Sequence, residues 1–490
     1  MVLLRKAVYY IFHSRRLIIF ALFWGFLFLS LKFYMDPSDP DIYRHLKVGE
    51  IIYKSRAIPE TELFTYAEEG SKWIHYSWLS EILFYIFFNN FSWIGLFVLR
   101  VLTGFFIIYY LFLGISRLNE NIYFSIILVL LVILLIQGFF LIRPVIFSFL
   151  FFSIYLWIIF DFKYRKAKRL FFLPLIMLLW ANVHICFIYG LILLFLVIFG
   201  EILNRFFFKD KSFNLKAFSF FTFLTFGSSL INPYLHKIYF IVGDYFNLGI
   251  LKDFILEFHS PDFHYPILLI FPILLVLSSV CVALKKTDFV NILLISFFGY
   301  LGFDLVRNVP YFVILSLFIV SASLPDLWKE KLPEVKREKI PNVFFIFLNF
   351  FIYVGLIYGL MVVARNFKPD EIIKKEYPKE AVEYIKANKF GDKLINHFDW
   401  GSFLLYELYP EYKVSIDGRT PAYSKEYFKK FSKTHSGMSE WSEYVDHLKN
   451  KGANLIIWPR ELPLSQILKE RKDWKKIYED KIAVIFLYSR

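Results

Sequence analysis

Cysteine is nearly absent: Cys186 and Cys281 are the only two in 490 residues, and both fall within apolar stretches. A disulfide framework or a cysteine-based metal site therefore does not organise this chain. Charge is also thin, at 20% of residues against 58% hydrophobic, and the mean hydropathy is +0.52. Apolar runs near twenty residues recur, which excludes a soluble globular domain and leaves a polytopic α-helical membrane protein. Acidic residues are outnumbered, 42 against 56 basic, for a net charge of +14. In a soluble chain that excess would suggest nucleic acid. Here much of it sits in short loops between apolar stretches, so no nucleic-acid partner is expected. No internal repeat is visible. The first apolar stretch, Leu17 to Met35, is too long for a signal-peptide core and lacks a small-residue cleavage site, so it is expected to remain as an anchor.

Two kinds of polar punctuation interrupt the apolar runs, and they alternate. Lys and Arg cluster at Arg5-Lys6 with Arg15-Arg16, Lys163 to Arg169, Arg205 to Lys216, Lys285-Lys286 and Lys329 to Lys339. Asp, Glu, His, Asn, Pro and Trp cluster in Asp36 to Glu81, around Arg143, at Trp180 to His184, from Asn232 to Tyr265, around Asp304 to Asn308, and after Met361. Because short basic loops are retained in the cytoplasm, the first set marks the inside and the second the outside of a cytoplasmic membrane. Eleven spans satisfy this pattern, at roughly 17–35, 92–115, 122–141, 145–160, 170–184, 187–203, 217–231, 265–284, 289–304, 309–324 and 341–363. The N-terminus is then inside and the C-terminus outside. Residues 78–91 are apolar but short, and they read as a helix lying in the outer interface. The spans at 145–160 and 170–184 are short for a bilayer.

Domain organisation follows from a change of composition: residues 1–365 carry the spans and the outer loop 36–91, and residues 366–490 form a soluble extracytoplasmic α/β domain. Its strands are expected at Lys393–Asn396, Tyr412–Ile416, Asn454–Trp458, Lys476–Tyr478 and Ala483–Tyr488. Helices are expected at Pro378–Asn388, Ser402–Leu408, Tyr423–Phe431, Ser439–Asn450 and Leu464–Lys472. The tight Glu479-Asp480-Lys481 turn between the last two strands implies a mixed sheet.

The outer loop opens Asp36-Pro37-Ser38-Asp39-Pro40-Asp41-Ile42-Tyr43-Arg44-His45-Leu46. Asp39 before Pro40 suits a helix N-cap, and Asp41 suits the positive end of that helix. The same carboxylates also suit chemistry, one as a general base and another binding a metal or orienting a hydroxyl. Asp41 and His45 stand one helical turn apart on one face.

From this point the chain resembles the GT-C membrane glycosyltransferases, which include protein O-mannosyltransferases, lipid A aminoarabinose transferases and oligosaccharyltransferases. The resemblance rests on one span followed by Asp-Pro-Asp-Ile-aromatic-x-His-Leu and then Trp73 to Glu81. It continues through Arg100, Arg143-Pro144, Trp180 to His184, Asn232-Pro233-Tyr234, Glu257 to Phe263 and Arg307-Asn308-Val309-Pro310. Relatives usually carry two tryptophans where this chain has Tyr43-Arg44. What the resemblance implies is an inverting transferase using a polyprenyl-phosphate sugar donor and an acceptor on the outer face, whether glycan, lipid or protein. Asp41 matches the family's catalytic acidic position, with Asp39 as its substitute. No cofactor is expected, and a divalent metal, Mg or Mn, stays open for this chain, as in the oligosaccharyltransferase branch, while other branches lack one.

Arg100, about eight residues into its span, is a cation held within the outer leaflet, a donor-phosphate candidate by default. Arg143 and Arg307 at outer span ends suit either phosphate binding or snorkelling to headgroups. His75 and Glu81 suit either the active cavity or the interface, and Asn182 and His184 either the donor site or interhelical hydrogen bonds. Glu257 and Asp262 frame a loop that closes over substrate or only connects spans. Asp399 and Trp400, then Asp417 and Arg419, follow strands of the soluble domain on the acceptor side. The Asp399-Trp400-Gly401 element is similar to part of the oligosaccharyltransferase Trp-Trp-Asp-Tyr-Gly motif. A transporter of lipid-linked sugars and a non-catalytic envelope assembly protein are the competing readings. Transporters, however, commonly carry repeated halves with midplane sites. The charge alternation predicts that engineered cysteines in 36–91 and in 364–490 react with an impermeant thiol reagent from outside. One at position 166 should not react, and labelling there would overturn the topology.

Overall fold

The computed structural model describes residues 37–67, 73–119, 122–246, 252, 255–284, 288–329, 354, 358, 361, 368–419, 423–435 and 441–489. The expected spans 17–35 and 341–363 lie outside the described residues, apart from helical Val354, Tyr358 and Met361. The chain divides into two compact units. One takes in 1–35, 97–236 and 255–367, and the other 36–96, 237–254 and 368–490.

The first unit is helical. Among the described residues, five helices are long and apolar enough to cross a membrane: Trp78–Leu118, Val145–Arg165, Phe187–Phe208, Pro266–Leu284 and Val306–Ser323. Shorter apolar helices run over Phe124–Phe139, Phe172–Val183 and Phe289–Asp304. Leu215–Ser229 is a further helix of this unit. Trp78–Leu118 is broken at Ser92, whose φ of 53° and ψ of −147° are not helical, so 78–91 and the following segment are separate helices. Val145–Arg165 outruns the expected 145–160, because hydropathy ends at Phe160 while backbone hydrogen bonding continues through Asp161, Lys163 and Arg165. At 1.5 Å per residue its 21 residues reach about 31 Å, enough for a bilayer core. The Val309–Lys329 helix packs against Ile122–Ile136, Val145–Arg165, Ile270–Leu284 and Phe289–Asp304, and its side chains from Val309 to Ser321 are buried. It is the bundle's core helix.

Among the described residues of this unit, the buried carboxylates of Asp161 and Glu201 are paired with cations, as a low-dielectric setting requires. Lys163 donates to Glu201 and lies 3.1 Å from Asp288, while Asn204 donates to Asp288 at 2.9 Å. Arg117 and Arg169 both donate to Asp161.

In the second unit a five-stranded sheet has the order β2-β1-β3-β5-β4, with β1 Lys393–Asn396, β2 Lys413–Val414, β3 Leu455–Pro459, β4 Trp474–Glu479 and β5 Ala483–Tyr488. The first three are parallel and the last two antiparallel, so the sheet is mixed. Asp480 closes the final hairpin by accepting from the N–H groups of Ile482 and Ala483, both at 2.7 Å. The helix expected from Ser402 begins earlier, at Phe398, because His397 caps it. The segment around Phe64 and Thr65 extends the sheet beyond β2: Thr65 bridges Val414 in parallel, and Val414 N–H donates to Phe64 O at 3.0 Å. The Pro40–Ser55 helix packs on Phe398–Leu408. Its Tyr43 is buried edge-on against Trp93, Tyr377 and Phe403, with centroids 5.9, 5.2 and 5.1 Å away, and its hydroxyl donates to Pro37 O at 2.8 Å.

Candidate active site

The Pro40–Ser55 helix starts as its residues dictate. Asp39 is the N-cap and accepts from Asp41 N–H at 3.2 Å, with Pro40 in the first turn. Asp41, Arg44 and His45, at positions i, i+3 and i+4, then share one face. That face meets Glu81 on the Trp78–Leu118 helix. His45 Nδ1 is 2.9 Å from Glu81 Oε1, and Arg44 Nη1 is 3.7 Å from the same oxygen. Arg44 Nη2 lies 3.1 Å from His45 Nε2 and 3.9 Å from Asp41 Oδ1. A guanidinium only donates, so His45 Nε2 accepts and the ring proton sits on Nδ1, directed at Glu81. Close approach of the two helices depends on Gly49, where a Cβ would overlap the Glu81 carbonyl.

His75 completes the group, its Nδ1 4.0 Å from Glu81 Oε2. Burial and the charges of Arg419 and Arg44 push its pKa down to about 3, so it is neutral at physiological pH. Sequence reasoning singled out Asp41, His45, His75 and Glu81, and the fold brings these four together. It missed Arg44, which links them. Exposure separates their roles: the Asp41 side chain is 21% accessible and the Glu81 side chain 3%. Asp41 is the open carboxylate of the cluster. Among the described residues, no group of three or more His, Cys, Asp or Glu is arranged to hold a metal ion.

The C-terminal residues divide. Asp399 is exposed at the first turn of the Phe398–Leu408 helix, whereas Trp400 is buried. Asp417 and Arg419, expected on an acceptor-side loop, are instead buried. Arg419 is bidentate to Glu62, at 2.6 and 2.9 Å, and donates from Nε and Nη2 to Asp417 at 2.8 and 2.5 Å. Its guanidinium lies 4.9 Å from the Phe64 ring and 5.3 Å from that of Trp73. Nothing in the spacing of Glu62 points to this partner 357 residues away. Burial alone would raise the Asp417 pKa, but the Arg419 charge and hydrogen bonds outweigh it and hold the carboxyl below its usual range.

In the helical unit, Arg143 donates to Glu257 at 2.6 Å, and Arg307 lies 4.9 Å from the ring of Phe258, next in sequence. Val306 N–H donates to His259 O at 2.8 Å. The two arginines and the Glu257 segment thus form one group. Arg100 is buried, its guanidinium 5.9 Å from the Phe140 ring. His184 Nδ1 lies 2.8 Å from Ser148 Oγ, which also accepts from Trp180 Nε1 at 2.8 Å. Asn182 donates to the carbonyls of Leu178 and Ile231 at 2.8 and 2.9 Å. The Ser148 contacts and the Asn182–Ile231 bond link separate segments, whereas the Asn182–Leu178 bond lies within one helix. Asp262 pairs with His264 at the surface.

No protein-family model matches the chain, and no curated protein matches it. Solved structures do. The archaeal oligosaccharyltransferase AglB from Archaeoglobus fulgidus, in complex with an inhibitory peptide and a dolichol-phosphate, aligns with a TM-score of 0.58 at 12% identity, over 90% of this chain and 69% of its own. The same organism's oligosaccharyltransferase tethered to an acceptor peptide containing the NVT sequon aligns with a TM-score of 0.56 at 13% identity, over 98% and 75%. ArnT from Cupriavidus metallidurans bound to undecaprenyl phosphate aligns with a TM-score of 0.49 at 12% identity, over 96% and 97%. At these identities the likeness to the two oligosaccharyltransferase structures is one of fold. The chain has a GT-C-like fold.

Two outcomes follow for stability. Arg419→Met leaves Glu62 and Asp417 buried without their cation and should cost about 3–5 kcal/mol, read from thermal unfolding of the purified protein. His75 has a depressed folded pKa, so the unfolded chain takes up its proton first. Stability should therefore fall as pH drops from 6.5 toward about 3. His75→Gln should flatten that limb, and an unchanged pH profile would show that His75 does not cause it.

Proposed function

We propose that this chain is a membrane glycosyltransferase that moves a sugar from a polyprenyl-phosphate donor to an acceptor on the extracytoplasmic face, with inversion. The observation that carries the reading is Asp41. It is the open carboxylate of a charged cluster, in the first turn of the helix that opens the first polar loop, in a chain with a GT-C-like fold. Asp41 takes the proton of an acceptor hydroxyl as that oxygen attacks the anomeric carbon, and the bond from that carbon to the lipid phosphate oxygen breaks. Arg44 and the His45–Glu81 pair orient the helix face that presents the base. Arg100, Arg143 or Arg307 stabilises the departing phosphate, whose charge grows in the transition state. For Arg143 this means exchanging Glu257 for phosphate. The dolichol-phosphate bound to AglB supports a polyprenyl-phosphate donor here. The acceptor is a glycan, a lipid or a protein.

The test is turnover of a panel of polyprenyl-phosphate hexoses by the purified protein with cell-envelope acceptors. Asp41→Asn keeps size and hydrogen bonding but removes the proton acceptor, so turnover should fall about a hundredfold or more while donor binding survives. Asp39→Asn should be milder, since its cap function survives as Asn. Arg100→Leu should weaken donor binding in a folded protein. Undiminished turnover in both aspartate variants would remove this loop from the chemistry, and sugar translocation without bond cleavage would favour a transporter.

A further inference from the structure

Gly418 lies between two buried charged residues, and its backbone does not explain why it is glycine. Among the described glycines, left-handed φ occurs at Gly391 and Gly452, not at Gly418. Space explains it. A Cβ at position 418 would stand 2.5 Å from Asp41 Oδ1, 3.7 Å from Asp41 Cγ and 3.3 Å from Ser402 Oγ. The first distance is below any that real Cβ atoms adopt, so the Asp41 carboxylate rests directly on this glycine.

The turn itself has little freedom to yield. Asp417 N–H donates to the Tyr423 hydroxyl at 3.0 Å, and that hydroxyl donates back to Asp417 Oδ2 at 2.9 Å. Arg419 N–H donates to Asp417 Oδ1 at 2.9 Å, while its guanidinium is held by Glu62 and Asp417 between Phe64 and Trp73. Asp41, by contrast, is a partly exposed side chain with Arg44 at 3.9 Å. An added methyl group would therefore move the carboxylate, not the turn.

We propose that Gly418 is a positioning residue for Asp41, the Asp417-Gly418-Arg419 turn being a fixed floor against which the base is seated. Glu62, Asp417 and Arg419 act through it, by holding the turn. The inference rests on the reading of Asp41 as the base. Misplacing a reacting group by about an ångström can cost about a hundredfold in rate, and a displaced Asp41 falls in that class.

The experiment uses the full-length protein in four forms: wild type, Asp41→Asn, Gly418→Ala and the double variant, with polyprenyl-phosphate hexose turnover and donor affinity measured for each. Gly418→Ala should lower kcat by about ten- to a hundredfold with donor affinity unchanged, and should add nothing in the Asp41→Asn background. A general structural lesion would instead lower both and add to Asp41→Asn. A Gly418→Ala enzyme with kcat within about twofold of wild type, beside an inactive Asp41→Asn, would overturn the positioning role and leave the base in place. A fully active Asp41→Asn would overturn the base itself. Should Gly418→Ala fold poorly, thermal unfolding of Asp41→Ala/Gly418→Ala decides. Recovery of the midpoint supports contact with the Asp41 oxygen, and no recovery, or equal recovery with Ser402→Ala/Gly418→Ala, overturns it.

Discussion

Arg419, buried between Glu62 and Asp417, is the interaction on which the second unit depends. It joins the first polar loop to the turn after β2, two segments far apart in sequence. A guanidinium suits this place because its planar fork serves two carboxylates at once and its charge lies over the rings of Phe64 and Trp73. Two buried carboxylates around one cation are tolerated only with full hydrogen bonding, and the Tyr423 hydroxyl and the Phe64 and Thr65 N–H groups supply it. The Thr65–Val414 bridge then continues the sheet into the loop.

Helix 40–55 is consequently seated on the C-terminal residues on several sides. Tyr43 inserts among Trp93, Tyr377 and Phe403, the Tyr377 hydroxyl donates to Ser38 O at 2.5 Å, and Asp41 touches Gly418. Tyr43 and Arg44, adjacent in sequence, diverge by one helical step: the first anchors the helix and the second faces the carboxylates. The face carrying Asp41, Arg44 and His45 is therefore held by packing on one side and by Glu81 on the other.

In the helical unit a different rule operates. Polar groups there are tolerated where they pair, as Lys163 does with Glu201 and Asp288, or where a cation meets an aromatic face, as Arg307 does at Phe258 and Arg100 at Phe140. Arg143 and Arg307 converge on the Glu257 segment, which gathers cationic groups at one end of several helices.

Periodicity and composition determined much by themselves. Apolar runs mark helices because a helix satisfies its own backbone within an apolar medium, and Asp39-Pro40 marks a helix start because capping is a local interaction. The same local logic made β1, the final hairpin and the shared face of Asp41 and His45 legible, while His75 and Glu81 were singled out through the resemblance to the GT-C family. Other features were decided only by tertiary structure. Arg44 as the link in that group, Glu62 as the partner of Arg419, burial of Asp417 and Arg419, and contact of Gly418 with Asp41 all join residues tens to hundreds of positions apart. Sequence spacing carries information about neighbours within a few turns. Burial and long-range charge pairing come into being only when the chain closes, so a loop carboxylate and a turn glycine acquire their roles from what the fold sets against them.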